Sequence, residues 1–235
     1  MMSRLHVVIG AYSFTIAMSV FALFSHPAQA EWYLAGQGGV AFGGNLKQLD
    51  EVPASGAGAV QYSNLALHAS PLYGGKVGYY FDDPAWRWLG FEMEAYTSTQ
   101  HIKQQGLEVT QRGVPPSSQV ISDKTGRVTT WAPISMMVRY QIGPVEPYFG
   151  VGLSLSFLHF HDAATDTTTS SNANVGFIGK AGLRWRVTEH LAVFGEWKYN
   201  QFSFSYDQFL LGSASSGGDG RYGSHIAVGG LGWHF

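Results

Sequence analysis

Several features are scarce or absent in this chain of 235 residues. Cysteine is absent, which excludes disulfides and thiol chemistry. Charged residues make up only 13% of the sequence, against ~25% in ordinary globular domains. The formal net charge is −2, so there is no general basic surface to attract nucleic acid. We therefore expect no nucleic-acid partner.

Long apolar runs are also scarce. Beyond residue 30, no segment approaches the ~18 uncharged apolar residues of a transmembrane helix. Before it, Arg4 precedes the apolar stretch VVIGAYSFTIAMSVFALF, and SHPAQA offers small residues at Ala28 and Ala30. This pattern predicts a signal peptide over residues 1–30, cleaved before Glu31, and one exported domain over residues 31–235. An uncleaved anchor is the alternative, which the A-x-A ending disfavours.

Alternating patterns fill the predicted mature chain. Eight segments place apolar residues on one parity and small, polar or charged residues on the other, as β-strands do. Their apolar faces run over Trp32 to Phe42, Tyr73 to Phe81, Leu89 to Ala95, Ile134 to Ile142, Phe149 to Phe157, Val175 to Trp185, Leu191 to Tyr199 and Ala227 to Phe235. Nine charged residues lie within these segments, counting Arg186 directly after Trp185, and all of them fall on the parity opposite the apolar face.

An apolar outside and a polar inside are typical of a barrel in a lipid bilayer, whereas a soluble lipocalin-like barrel turns its apolar face inward. The connections agree with a barrel in a lipid bilayer. DDPAWR, GPVEP and TEH are short turns, and they alternate with long loops at roughly residues 44–70, 98–126, 161–173 and 207–221. We predict an all-β fold: an eight-stranded antiparallel up-and-down transmembrane β-barrel, with short periplasmic turns and long extracellular loops.

The chain ends in HIAVGGLGWHF, and Trp233 and Phe235 are placed to anchor the last strand at the bilayer interface. With EWYLAGQGGVAFG, FEMEAYTSTQHIKQQG, EPYFGVGLSLSF and GKAGLRWRVTEHLAVFGEWKYNQFSFSYD, this ending resembles the small outer-membrane β-barrel domain family, the OmpA/OmpX-like, porin-family-like barrels of Gram-negative envelopes. The resemblance spans almost all of residues 31–235. It implies location in the outer membrane, with outer-membrane lipid and the barrel assembly machinery as partners. It also implies that Trp233 and Phe235 form a carboxy-terminal assembly signal.

Interior charge is the most informative chemistry of the sequence. The lumen of an eight-stranded barrel is only wide enough for side chains to fill, and buried charges must be paired there. We therefore expect a structural, salt-bridged network, with Glu92 or Glu94 contacting Arg139 across adjacent strands. The alternative is that the same charges line a path or gate. The candidate residues are Lys76, Glu92, Glu94, Arg139, Lys180, Arg184, Glu196 and Lys198.

Such a scaffold carries adhesins, pores, enzymes and plain structural proteins, so the fold alone does not fix the function. The leading hypothesis is a non-catalytic integral outer-membrane protein with a structural or surface-interaction role. The first alternative is a narrow passive channel for small solutes or hydrophobic compounds, and the second is a lipid-modifying enzyme. No cofactor is expected, and the long loops are where an extracellular ligand or surface would be met.

Two pairs of residues that contain histidine bear on these alternatives. His159 and His161 lie two residues apart at one strand end, which is weak evidence for a metal site, and we expect none. Ser224 and His225 would suit lipid-modifying chemistry if they converged. Adjacent residues of a strand point to opposite faces, so we expect them to diverge.

The stretch FSFSYD breaks the alternation, because Phe202, Phe204 and Tyr206 fall on the parity that faces inward before them. A β-bulge near Asn200 and Gln201 would restore the phase, and this is the favoured interpretation. The alternative is that the strand rises beyond the membrane and these side chains pack under a loop.

Overall fold

A computed structural model describes residues 30–53, 60–62, 65–102, 105–111, 114–121, 124–162, 167–170, 173–206 and 215–235. These residues form thirteen strands, which are β1 (Ala30–Pro53), β2 (Val60–Tyr62), β3 (Leu65–Ala66), β4 (Ser70–Phe81), β5 (Leu89–Ile102), β6 (Gln105–Gln111), β7 (Val114–Ile121), β8 (Lys124–Arg139), β9 (Val145–Asp162), β10 (Thr167–Ser170), β11 (Asn174–Arg186), β12 (Leu191–Tyr206) and β13 (Ser215–His234). Within the described ranges, no helix is long and apolar enough to cross a membrane.

The eight longest strands build the wall of a closed barrel. In the order β1, β4, β5, β8, β9, β11, β12 and β13, each strand is hydrogen-bonded to the next one in this order. The last strand, β13, pairs antiparallel with β1 from Tyr33↔His234 onward, which closes the wall. The predicted eight-stranded antiparallel up-and-down barrel is confirmed.

Three tight turns join wall strands at one end of the barrel, which we call the turn end; the opposite end is the loop end. The turns occupy residues 82–88, 140–144 and 187–190, at the three places that the sequence predicted. In the first, the carboxylate of Asp83 accepts a hydrogen bond from the amide of Ala85 at 2.8 Å. In the second, Gly143 has a φ of 59°, the left-handed region that glycine enters without steric cost.

The alternation of side chains is as the sequence predicted. Apolar residues of the wall, from Leu34 on β1 to Leu231 on β13, project outward and are exposed, while the eight candidate charged residues project inward and are buried. A bulge on β8 shifts the phase once: Trp131 and Ile134 both project outward, since Ala132 and Pro133 together take the place of one residue of the neighbouring strands. Proline suits a bulge because it cannot donate to the strand ladder.

The bulge predicted near Asn200 and Gln201 is wrong. The pairing of β12 with β13 runs without a shift from Leu191↔Trp233 to Tyr206↔Gly218. Phe202 and Phe204 therefore stay on the inward face, where they are 2% and 4% exposed. They can do so because the lumen becomes apolar at this height. The side chain of Tyr206 lies outside the described residues.

The described parts of the regions predicted as long loops contain much regular structure. Wall strands continue into them, and β6 and β7 form a further hairpin that joins the wall through β2 and β1. A short strand, β10, lies against the end of β9. Backbone hydrogen bonding thus extends the wall beyond the membrane-sized part of the barrel, and composition alone did not reveal it.

Aromatic side chains fill the turn-end half of the lumen. Tyr33, Tyr80, Tyr148 and Phe194 belong to one buried cluster, and the rings of Tyr33 and Tyr80 stack at 5.9 Å between centroids. Gly78 is required beside them, because a Cβ at this position would lie 2.3 Å from the ring of Tyr33. The lumen is therefore packed around the charged groups described next.

Candidate functional site: the interior charge network

Three lysines and three glutamates form a closed cycle across the middle of the lumen, which we call the central cluster. Its members come from four strands, β4, β5, β11 and β12, and all are buried. Going round the cycle, the ion pairs are Lys76–Glu92 at 3.3 Å, Glu92–Lys180 at 2.8 Å, Lys180–Glu94 at 2.5 Å, Glu94–Lys198, Lys198–Glu196 at 3.0 Å and Glu196–Lys76 at 2.9 Å. Each charge therefore has two partners of opposite sign, and the formal charges cancel.

The strand register explains why the cluster needs partners across the lumen. Lys180 lies directly opposite Lys198 on neighbouring strands, and like charges in this position repel. Glu94 projects from the far wall and contacts both lysines, and Glu92 beside it contacts Lys180. Two neutral side chains add hydrogen bonds: the hydroxyl of Tyr33 donates to Glu92, and the amide of Gln37 donates to Glu94 at 3.2 Å.

A second group of charges, which we call the rim cluster, closes the turn end. It contains three arginines and two glutamates: Arg139, Arg184, Arg186, Glu31 and Glu146. Arg139 pairs with Glu31 at 2.7 Å and lies 3.6 Å from Glu146, while Arg186 pairs with Glu146 at 2.6 Å. His234 of the last strand also contacts Glu31, at 2.8 Å. The two ends of the barrel sequence are thereby held together in one ionic group.

Aromatic rings support the arginines of the rim cluster. The guanidinium of Arg139 lies 3.9 Å from the centroid of Tyr80, and that of Arg184 lies 4.4 Å from the centroid of Tyr33. Such contacts stabilise a desolvated cation by about 2 kcal/mol. Among the described residues, Glu146 at 3.4 Å is the one glutamate that pairs with Arg184, so the rings supply much of the environment of its guanidinium.

The predicted contact of Glu92 or Glu94 with Arg139 is wrong. The amide of Arg139 bonds to the carbonyl of Trp88, which lies four residues, or about 13 Å of strand, before Glu92. Arg139 consequently belongs to the rim cluster. The structure places the other seven candidates in the lumen as well: Lys76, Glu92, Glu94, Lys180, Glu196 and Lys198 in the central cluster, and Arg184 at the rim.

Sequence reasoning missed both glutamates of the rim cluster and did not include Arg186 among the candidates. Glu146 was assigned to the turn GPVEP, but it lies on β9 and is 1% exposed. It shares the even parity of Gly150, Gly152 and Ser154, and that signal could have found it. Glu31 was treated only as the predicted mature terminus, and its role depends on the closure of β1 onto β13.

Two further layers fill the lumen above the central cluster. A hydroxyl and amide layer comes first, in which the amide of Asn200 accepts from Ser154 at 2.9 Å and donates to Thr130 at 3.2 Å. Buried apolar side chains follow towards the loop end. This apolar layer consists of Leu46, Leu67, Leu72, Val128, Leu158, Phe202, Phe204 and Tyr222. The rings of Phe202 and Tyr222 stack at 4.8 Å.

The remaining residues that the sequence singled out lie outside the two charge clusters. Trp233 and Phe235 project outward at the turn end, 50% and 61% exposed, and an assembly signal at these residues stays a prediction. Ser224 points into the lumen while His225 faces outward, as expected. The His161 side chain is not among those described. In the described ranges, no group of three or more His, Cys, Asp or Glu side chains could hold a metal ion.

Comparison with known proteins identifies the fold family. No curated protein matches the chain by sequence. Among solved structures, the outer membrane protein OprG of Pseudomonas aeruginosa is 14% identical, with a TM-score of 0.52 over 89% of this chain and 97% of that one. The outer membrane protease OmpT of Escherichia coli is 11% identical, with a TM-score of 0.51 over 90% and 99%.

These similarities show the fold alone, and both neighbours are outer-membrane barrels. The family evidence comes from the sequence: residues 15–235 match the family described as the outer membrane protein beta-barrel domain. That match includes every wall strand and both charge clusters. The chain therefore belongs to the outer membrane protein β-barrel domain family and is a protein of the outer membrane.

Proposed function

We propose that this protein is a closed, non-catalytic barrel with a structural or surface-interaction role in the outer membrane. The observation that carries the proposal is the central cluster, in which six buried charges pair in an unbroken cycle across the lumen. The rim cluster lies on one side of it and the apolar layer on the other. A solute crossing the barrel would have to displace all of them.

The energetic cost of such displacement argues against the alternative of a passive channel. Separating one partner from a buried, hydrogen-bonded ion pair costs about 3–5 kcal/mol. Each charge of the central cluster has two partners, so opening a path breaks several pairs together. The apolar layer adds a second obstacle for polar solutes, because Phe202, Phe204 and Tyr222 pack against each other there.

The geometry also argues against the alternative of a lipid-modifying enzyme. Ser224 and His225 lie on opposite sides of the wall, so the hydroxyl and the imidazole cannot share a proton. OmpT is named as a protease, but an identity of 11% extends only to the fold. A surface role would use the loop end, where the extended strands β6 and β7 stand beyond the wall. Export through a cleaved signal peptide over residues 1–30 and delivery by the barrel assembly machinery complete the proposal.

Solute entry into vesicles tests the proposal. Refolded protein is reconstituted into liposomes, and swelling is recorded in isotonic solutions of small sugars and amino acids. We expect swelling no faster than in protein-free liposomes. Liposomes that hold protein shown by gel mobility to be folded could instead swell faster, at a rate that falls as the solute becomes larger. That result would contradict the closed lumen and support the channel.

A further inference from the structure

Two basic side chains lie side by side on the outer wall, facing away from the lumen. Lys47 on β1 and Arg221 on β13 are directly opposite each other in the strand pairing, and both are exposed. Like charges in this position repel. None of the described carboxylates lies within ion-pair distance of either residue: Asp219, two residues before Arg221 and exposed like it, accepts a hydrogen bond from Ser205 at 2.7 Å.

A local irregularity creates this arrangement. The pairing of β1 with β13 shifts between Phe42 and Asn45, where β1 carries one extra residue at Gly43 and Gly44. Phe42 faces outward on the even parity, so without the bulge Lys47 would face the lumen. With it, Leu46 enters the apolar layer and Lys47 stands on the outer face beside Arg221.

The height of the pair places it at the loop-end surface of the membrane. Arg221 lies twelve positions before the interface residue Trp233 on the same strand, and a strand needs about 9–11 residues to cross the hydrocarbon. Aromatic side chains lie directly below it on the outer face. His225 packs against Tyr199 at 5.0 Å, Trp197 at 5.5 Å and Phe42 at 6.2 Å between ring centroids.

A shallow cleft of about 290 Å³ opens at this point on the outer wall. Lys47 and Arg221 supply cationic donors to it, and Gln201, Tyr199 and His225 line its lower part. The cleft thus combines a site for an anion at the membrane surface with aromatic groups on the hydrocarbon side. This is the order of groups along a phosphorylated lipid that stands in the outer leaflet.

We propose that this cleft binds the phosphate group of an outer-leaflet lipid, with Lys47 and Arg221 as its ligands. The lipid chains then run down the wall over the aromatic side chains around His225. An arginine binds phosphate through paired N–H donors, and a lysine does so as a point charge. The proposal does not depend on whether the lumen conducts, since the cleft lies outside the barrel.

Lipid binding by the refolded full-length mature barrel tests this site. Native mass spectrometry of the protein in detergent measures the affinity for a bis-phosphorylated acylated glucosamine disaccharide of the lipid A type and for the same lipid without phosphate. We expect the phosphorylated form to bind at least about tenfold more tightly. The double variant Lys47→Gln, Arg221→Gln is expected to lose most of this preference. Arg87→Gln, which removes an exposed charge from a turn at the other end, is expected to retain it.

The charge-conserving variant Lys47→Arg, Arg221→Lys separates charge from folding, and we expect it to keep the preference. Equal affinity of the wild type for the two lipids would overturn the proposal. So would loss of the preference in Arg87→Gln, because that would indicate general attraction to the protein. The last measurement is competition by inorganic phosphate at millimolar concentration. If phosphate displaces the lipid completely, the lipid assignment is overturned in favour of a site for a soluble anion.

Discussion

Glu94 shows what the central cluster requires of a single residue. It bonds to Lys180 and Lys198 and accepts a hydrogen bond from Gln37. A buried charge of this kind is stable only while its partners are present, so the energy of each residue belongs to the cluster as a whole.

Neutralising Glu94 is therefore expected to destabilise the folded barrel. Glu94→Gln leaves the cluster with one uncompensated lysine, and we expect a loss of about 3 kcal/mol in the free energy of unfolding, measured by urea titration in lipid vesicles. The control is Glu189→Gln in an exposed turn, which should change the value by less than about 0.5 kcal/mol.

The partner residue supplies a test of coupling. Lys198→Met alone should also destabilise the barrel, whereas Glu94→Gln combined with Lys198→Met restores equal numbers of positive and negative charges. We expect the double variant to be at least about 1 kcal/mol more stable than the sum of the single changes implies. Strict additivity in the same urea titration would show that the two charges act independently.

Arg184 tests the rim cluster in the same way. Arg184→Ala removes the cation from the rings of Tyr33 and Tyr80 and from Glu146. We expect the unfolding midpoint to fall, and the free energy of unfolding to decrease by about 1–3 kcal/mol. Arg127→Ala, on the exposed outer face, serves as the matched control. An unchanged midpoint for Arg184→Ala would contradict a structural role for this residue.

At the scale of the strand, alternation could be read from the sequence because lipid outside and charge inside impose it on every wall segment. The bulges at Pro133 and at Gly43–Gly44 could not be predicted from the sequence, because a bulge depends on how a strand pairs with its neighbours. The rule also failed where it assumed that the inward face stays polar. Phe202 and Phe204 obey the alternation, and the lumen around them is apolar.

The bulge on β8 makes a prediction of its own. Deleting Pro133 removes the extra residue and leaves Ala132 alone opposite one residue of each neighbouring strand, so Trp131 and Ile134 both stay outward. We expect the deletion variant to fold, seen as faster gel mobility before boiling than after. Pro133→Ala keeps the number of residues and should retain the faster mobility of the unboiled barrel. Equal mobility of the deletion variant before and after boiling would show that the barrel needs the bulge itself, and not only the outward placement of Trp131.

At the scale of the whole molecule, the sequence indicated which charges enter the lumen but not which of them meet. Lys180 and Glu94 are on opposite walls, and their contact depends on the barrel circumference and on the relative height of β5 and β11. Those quantities follow from the pairing of all eight strands. The same holds for Glu31 and Arg139, which meet only because β1 closes onto β13.

Conductance of the refolded mature protein in a planar lipid bilayer tests whether paired charges close the lumen. We expect no steady conductance from protein shown by gel mobility to be folded. Folded protein with Glu94→Gln should also show no steady conductance, because the apolar layer and the rim cluster are intact. Reproducible conductance steps that change in size on Glu92→Gln or Lys180→Gln would rule out a closed lumen, since they would show that ions pass through the central cluster.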